Sequence, residues 1–176
     1  MAKDYRCLTL DAVDNILAMD YFTELLPKLS NSDIDLALFF EVKANLTRCQ
    51  VELLRTAGIT KIQPGIESVS TRLLKLMNKG VTAIQNIQLL KFCCELGIYP
   101  YRNVLYGLPG EMAADYADFP QIFRTISHLS PPVGTSRVIF ERFSPYFYDQ
   151  EKYSLSLEPS PLYRLLFPES LVDMEK

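Results

Sequence analysis

The sequence predicts an α/β fold with parallel strands. Short β-rich runs alternate with helical patterns from the N-terminus to residue 143. The run Leu36–Lys43 (LALFFEVK) is almost continuously apolar, as expected of a strand buried on both faces. Two helices are announced by capping boxes, Thr47-Arg-Cys-Gln50 and Thr82-Ala-Ile-Gln85.

Taken in order, Arg6–Leu10 reads as the first strand, running into the polar stretch Asp11–Asn15. Met19, Phe22, Leu26 and Leu29 recur at helical spacing, with Pro27 as a kink or an end. Leu36–Lys43 is the second strand, and the helix opened at Thr47 is closed by Gly58. Ile59–Ile66 is the third strand, followed by a helix over Ser70–Asn78 carrying Leu73, Leu74 and Met77. The helix opened at Thr82 places Ala83, Ile87, Leu90 and Cys94 on one face and ends at Gly97. Ile98–Gly107 is the fourth strand, entering the turn Gly107-Leu-Pro-Gly110-Glu111. A helix follows to about Leu129, kinked or restarted near Asp118 by Pro120 and stopped by Pro131-Pro132. Gly134–Phe143 is the fifth strand. From Ser144 onward proline, tyrosine and serine dominate, and an irregular extension is expected. Five strands are too few for a closed eight-stranded barrel. An open, partial barrel and a doubly wound sheet both satisfy the pattern.

Composition narrows the function classes. A chain of 176 residues, 48% of them hydrophobic, can bury a real core. A formal net charge of −3 has the wrong sign for a nucleic-acid scaffold. No apolar run approaches the roughly 20 residues that span a bilayer, and the start of the chain lacks a signal-peptide core. A cytoplasmic protein without nucleic-acid or membrane partners is the expectation. The cysteines at 7, 49, 93 and 94 match no zinc, ferredoxin or redox spacing, so buried free thiols and no metal site are expected.

Active sites of parallel α/β folds form at the C-terminal ends of the strands, so the polar residues there matter most. Alternation places Glu41 and Lys43 on one face of the second strand. It groups Lys61, Gln63, Gly65 and Glu67 on the third, and Arg102, Val104 and Tyr106 on the fourth. On the last strand it groups Val138, Phe140 and Arg142. One such charge reaches solvent about as often as it serves a site; four strands ending this way point to a small-molecule mouth. The Gly107–Glu111 turn has no GxGxxG or P-loop form, so it reads more readily as a rigid loop than as a phosphate cradle. His128 fits a helix C-terminal cap better than a catalyst. No Ser/His/Asp set and no metal-binding His pair can be assembled, and no catalytic residue stands out.

Five segments occur in order: Gln63-Pro-Gly-Ile-Glu67-Ser68, Leu74–Thr82 around Met77 and Lys79, Leu105–Glu111, His128–Pro132 and Arg142-Phe-Ser-Pro-Tyr146. Together they resemble the radical S-adenosylmethionine (SAM) superfamily. More narrowly, they resemble its cobalamin-dependent, C-methyltransferase-like members that mature ribosomally made peptides. The resemblance runs from about Asp14-Asn15 to Tyr146. It implies a partial parallel (β/α) barrel over residues 1–146, strands two to six of six, with an irregular extension over 147–176.

In that family a CxxxCxxC loop after strand one holds a 4Fe–4S cluster that passes an electron to SAM. None of the four cysteines here offers that spacing. The implied chain is therefore a stretch without the loop, completed by a missing N-terminal segment or a partner subunit. Cluster and cobalamin would belong to the full-length family rather than be ligated here. The resemblance further implies that Gln63, Glu67 and Ser68 hold the ribose and amino group of SAM. Lys79 would face the SAM carboxylate, Glu41 would join them, and Gly107 and Gly110 would lie beside the adenine or methionyl part. Arg102, Tyr106 and Arg142 would line the side of a peptide substrate. A degenerate, non-catalytic module that binds SAM or a peptide is the competing reading. An unrelated enzyme using Glu41 and Glu67 as acid and base is a weaker one.

Overall fold

The computed structural model describes residues 6–13, 16–142 and 144–166. The chain divides into two compact units, Met1–Arg137 and Val138–Lys176. In the first, β1 (Thr9–Asp11), β2 (Ala37–Glu41), β3 (Ile59–Gln63) and β4 (Tyr99–Pro100) form a parallel sheet in that order. A second parallel pair joins β5 (Asn103–Tyr106) to β6 (Gly134–Arg137).

The expected fourth strand is thus split at Tyr101-Arg102, yet both halves follow the same neighbour. The Tyr101 amide donates to the Ile62 carbonyl at 2.7 Å, and the Leu105 amide to the Glu67 carbonyl at 2.9 Å. Strand order follows chain order without a reversal, so the doubly wound alternative does not describe these strands.

The helices form where the local signals put them. Helix α1 (Tyr21–Glu24) and α2 (Leu26–Ser30) divide at Leu25, with Pro27 in the first turn of α2, where its missing N–H is harmless. Helix α3 (Arg48–Thr56) is opened by Thr47 and Gln50 in a complete capping box. Helix α4 (Thr71–Leu76) is capped by the Ser70 hydroxyl. Helix α5 (Ala83–Leu96) begins with the Thr82/Gln85 box and ends at left-handed Gly97. A 3-10 turn over Ala113–Tyr116 precedes α6 (Phe119–Thr125). That helix ends well before Pro131, earlier than the prolines alone suggest.

Three expectations need correction. The Gly134–Phe143 strand stops at Arg137, because its partner β5 ends at Tyr106 and Gly107 then turns with a φ of 84°. Strand β2 is not buried on both faces: Leu38 and Phe40 are buried, while the alternate residues Ala37, Phe39 and Glu41 are only partly covered. The buried stripe of α5 is Asn86, Leu89, Leu90 and Cys93, one register away from the expected face. Asn86 hid that stripe because a polar residue holds its first core position.

In β3 a register shift lets Ile59 pair with Leu38 and Lys61 with Phe39, so Thr60 is the extra residue. The shift keeps Ile59 and Ile62 both in the core. That core lies between one sheet face and the helices, built on Leu26, Val51, Leu54, Ile59, Ile62, Leu89 and Leu90.

The second unit carries α7 (Pro145–Tyr148) and α8 (Pro161–Leu166), elements the expected irregular extension did not include. Tyr146 packs edge-on against Phe140 at 5.2 Å and Tyr153 at 4.6 Å. No described helix is long and apolar enough to cross a membrane.

Candidate functional site

The segment leaving β3 builds a polar arrangement at the C-terminal end of that strand. Pro64 and Ile66 turn into the core while Gly65 and Glu67 lie on the other face, continuing the alternation of Lys61 and Gln63. The Glu67 backbone is pinned by the amide of Leu105. Its side chain is only 18% exposed, and Oε1 accepts from Lys79 Nζ at 2.7 Å. The second oxygen, Oε2, is buried with no partner. Burial pushes the Glu67 carboxyl above its ordinary value, against the opposing pull of Lys79.

Ser68 is 1% exposed, and its hydroxyl accepts from the Ser70 amide at 3.0 Å, steadying the entrance to α4. The Ser68 carbonyl accepts from Asn86 Nδ2 at 3.0 Å, while Asn86 Oδ1 is unpartnered. The core asparagine on α5 thus ties down the end of the Gln63–Ser68 turn, as Leu105 does at Glu67. Glu41 ends β2 directly beside Gln63 in the ladder, so these two share the same edge of the sheet.

The structure thus brings Glu67, Ser68 and Lys79 together, with Glu41 and Gln63 beside one another at the strand ends. Lys79 is bound to Glu67, and its first role is to hold that carboxylate.

The Gly107–Glu111 turn is closed on itself. Glu111 accepts from the amides of Gly107 and Leu108, both at 2.8 Å, and from the Tyr116 hydroxyl at 2.6 Å. Burial alone would raise the Glu111 carboxyl, but these donors outweigh it and hold it below the usual range. The amides that an anion would use are already satisfied. Arg72 donates to the Gly110 carbonyl at 3.0 Å and pairs with Asp115. A Cβ on Gly107 would stand 2.9 Å from Arg137 Cγ, so this arginine lies against the turn at the end of β6.

Of the residues expected on the substrate side, Arg102 and Tyr106 belong to the first unit and Arg142 to the second. Arg102 is 4% exposed, donates to the Ser130 carbonyl at 3.1 Å and lies over the Phe123 ring. Burial lowers its pKa. Tyr106 is exposed at the end of β5, level with Arg137 in the ladder. Arg142 belongs to the second unit and lies beyond the end of β6, not on a strand face.

Sequence reasoning missed Glu111, Asn86 and Arg137. A glutamate closing a Gly-x-x-Gly turn, and an asparagine opening an i, i+3, i+4, i+7 apolar stripe, are the signals that would have found the first two. Of the four thiols expected to be buried, only Cys93 is, its pKa pushed up to about 12 by burial; Cys7, Cys49 and Cys94 are exposed. Among the described residues no three metal-ligating side chains gather into one group, so these thiols do not fit an iron–sulfur cluster. A cleft of 310 Å³ lies away from the predicted residues, between Asn45–Arg48 and the α5 residues Gln85, Gln88 and Phe92.

The Glu67–Lys79 pair makes stability depend on pH. Because the folded state raises the Glu67 pKa, that carboxyl contributes most below its ordinary 4.5, and stability declines as pH rises towards the folded value. Lys79 limits the decline. Lys79→Met is expected to cost about 1 kcal/mol at pH 7, modest because the ammonium is a third exposed. The deficit should close towards pH 4. Urea denaturation of both proteins at the two pH values checks this, and a deficit independent of pH would assign the loss to packing instead.

No protein-family model and no curated protein matches the chain. Among solved structures it is similar to the radical SAM methyltransferase TsrM from Kitasatospora setae with cobalamin and a 4Fe–4S cluster bound. The identity is 20% and the TM-score 0.64, over 77% of this chain and 27% of that one. The same enzyme with tryptophan substrate and the SAM analogue aza-SAM gives 19% and 0.62, over 78% and 28%. The cobalamin-dependent SAM radical enzyme OxsB, with aqua-cobalamin and SAM bound, gives 17% and 0.55, over 96% and 24%. The chain spans about a quarter of the length of these structures. Over the stretch that it spans, the chain has the fold of the radical SAM enzymes to which TsrM and OxsB belong.

Proposed function

We propose that this chain is the SAM-holding portion of a radical SAM enzyme, a partial barrel whose strands correspond to two to six of six. Its substrate is a ribosomally made peptide and its reaction a C-methylation that uses cobalamin. The reading rests on the likeness of fold and on one observation: the buried, unpartnered Oε2 of Glu67. A desolvated carboxylate oxygen without a donor is costly unless a ligand supplies one. A ribose hydroxyl or an ammonium group, both present in SAM, is the donor it lacks.

Lys79 orients Glu67 and has further N–H groups for an anionic group such as the SAM carboxylate. Gln63 and Glu41 offer neutral and acidic partners at the adjoining strand ends. Bound SAM would supply the methyl group and accept the electron, which a cluster held outside the described residues would have to donate. The described side chains hold no cluster, so the ligands for one would come from outside the described residues.

Calorimetric titration of the folded chain with SAM is the test. A hydrogen bond to a charged group is worth about 1.5–3 kcal/mol, so Glu67→Gln should weaken SAM binding about tenfold or more. Lys75→Ala, on the exposed side of α4, should leave binding unchanged. Equal affinity in Glu67→Gln and the parent, or no SAM binding by a chain shown to be folded, would overturn the assignment.

A further inference from the structure

The sheet face turned away from the helices carries, beside the Glu41 and Gln63 given to SAM above, further residues that the SAM reading does not use. Register places Phe39, Lys61 and Tyr99 side by side across β2, β3 and β4. One step towards the strand ends, Glu41 is paired with Gln63, and Tyr101 follows beside them, its amide on the Ile62 carbonyl. This is the uncovered face: Lys61 and Gln63 are exposed, and Tyr99 and Tyr101 are 44% and 46% exposed.

The two tyrosine rings meet edge to face, 6.4 Å apart at 61°, so one side of each is open. Lys61, between Phe39 and Tyr99, makes no ion pair among the described residues. A buried strand face needs neither an unpaired ammonium nor two half-exposed rings in one patch.

We propose that this face is a substrate subsite for an aromatic side chain next to a carboxylate. The ring stacks on Tyr99 and Tyr101, and the carboxylate reaches Lys61. Tyrosine suits the task because its ring gives contact area at little conformational cost and its hydroxyl tolerates water. The Lys61 ammonium, unpaired among the described residues, favours an anion beside the rings. Glu41, on the diagonal, disfavours a second negative charge and so orients the ligand. The proposal rests on the substrate-enzyme reading above and specifies what that substrate presents.

The chain contains no tryptophan, so indole emission reports a bound ligand without background. The probes are the blocked dipeptides acetyl-Trp-Glu-amide and acetyl-Trp-Gln-amide, the cyclohexylalanine analogue of the first, and free tryptophan. Fluorescence anisotropy follows the indole probes directly, and competition follows the analogue. The acidic dipeptide should bind about fivefold or more tighter than the neutral one, and lose that margin in Lys61→Gln. Tyr101→Ala should weaken both indole dipeptides about five- to tenfold, with Tyr101→Phe largely retaining affinity. Tighter binding of free tryptophan than of the dipeptides would make the ligand a free amino acid; the reverse order makes it a peptide residue.

Indifference to Tyr101→Ala, or equal binding of the cyclohexyl analogue, overturns the subsite. SAM titration of the same samples separates the two readings. SAM binding that depends on Glu67 without peptide binding removes the subsite alone, and peptide binding without SAM binding removes the cofactor assignment alone.

Discussion

Asn86→Asp is expected to destabilise the chain by about 3–5 kcal/mol at pH 7, because it leaves an uncompensated charge in the core. Asn86 is fully buried; its side-chain Nδ2 donates to the Ser68 carbonyl and its Oδ1 is without a partner. An aspartate there is nearly isosteric, so packing is unchanged and the effect is electrostatic. At neutral pH the new carboxylate would face a carbonyl oxygen with no donor between them. Its pKa should therefore rise steeply on folding, and the folded state should take up a proton.

The sign follows from that uptake. A raised carboxyl pKa favours folding as pH falls, so the deficit should shrink on acidification as the neutral acid's O–H bonds to Ser68. Urea denaturation at pH 5 and pH 7.5 reads both parts. A loss below about 0.5 kcal/mol, the range typical of surface changes, would mean that Asn86 does not hold the turn. Because Ser68 adjoins Glu67, the same variant should also weaken the SAM binding proposed above, under conditions where it remains folded.

Gly58→Ala is expected to be comparably damaging for a different reason. Gly58 closes α3 with a φ of 87°, and a Cβ there would stand 2.6 Å from the Leu36 carbonyl oxygen. The left-handed backbone alone costs a non-glycine residue about 1–2 kcal/mol. The overlap is with backbone rather than with a side chain that can swing away, and the Gly58 carbonyl also accepts from the Leu38 amide at 2.8 Å. A total near 3 kcal/mol lowers the melting temperature of a chain this size by about 6–12 °C. Gly97→Ala is the internal reference, since its φ of 66° has the same handedness but nothing lies within 4 Å of the added Cβ. If both variants melt together, the clash at Leu36 relaxes and only backbone strain remains.

These cases show what the sequence could and could not convey. Helix starts were readable to the residue at Thr47 and Thr82, because a capping box is complete within four residues. The left-handed end at Gly97 was equally local. Strands were found in the right places but with wrong ends, since a strand ends where its partner does. Neither the break at Tyr101-Arg102 nor the stop at Arg137 is written in their own residues.

The site divides in the same way. Glu67, Ser68 and Lys79 were singled out from their segments, but the contacts between them were not legible there. Nothing in a linear pattern says that Lys79 turns back to Glu67, or that Asn86 holds Ser68. Arg102 was misread because a charge on a strand was taken to face the mouth, whereas Ser130 and Phe123 give it a place in the interior. Glu111 went unnoticed because its partners are the amides of the turn it closes.

The order of the strands has a consequence for how the chain is made. In the order β1-β2-β3-β4 each strand after the first pairs with the one before it, and β6 adds last, to β5. No early strand must wait for a later one to be inserted between it and its neighbour. A chain emerging from the ribosome can therefore add each strand to a finished edge. Assembly is vectorial, and at every stage the growing edge is the most recently synthesised strand.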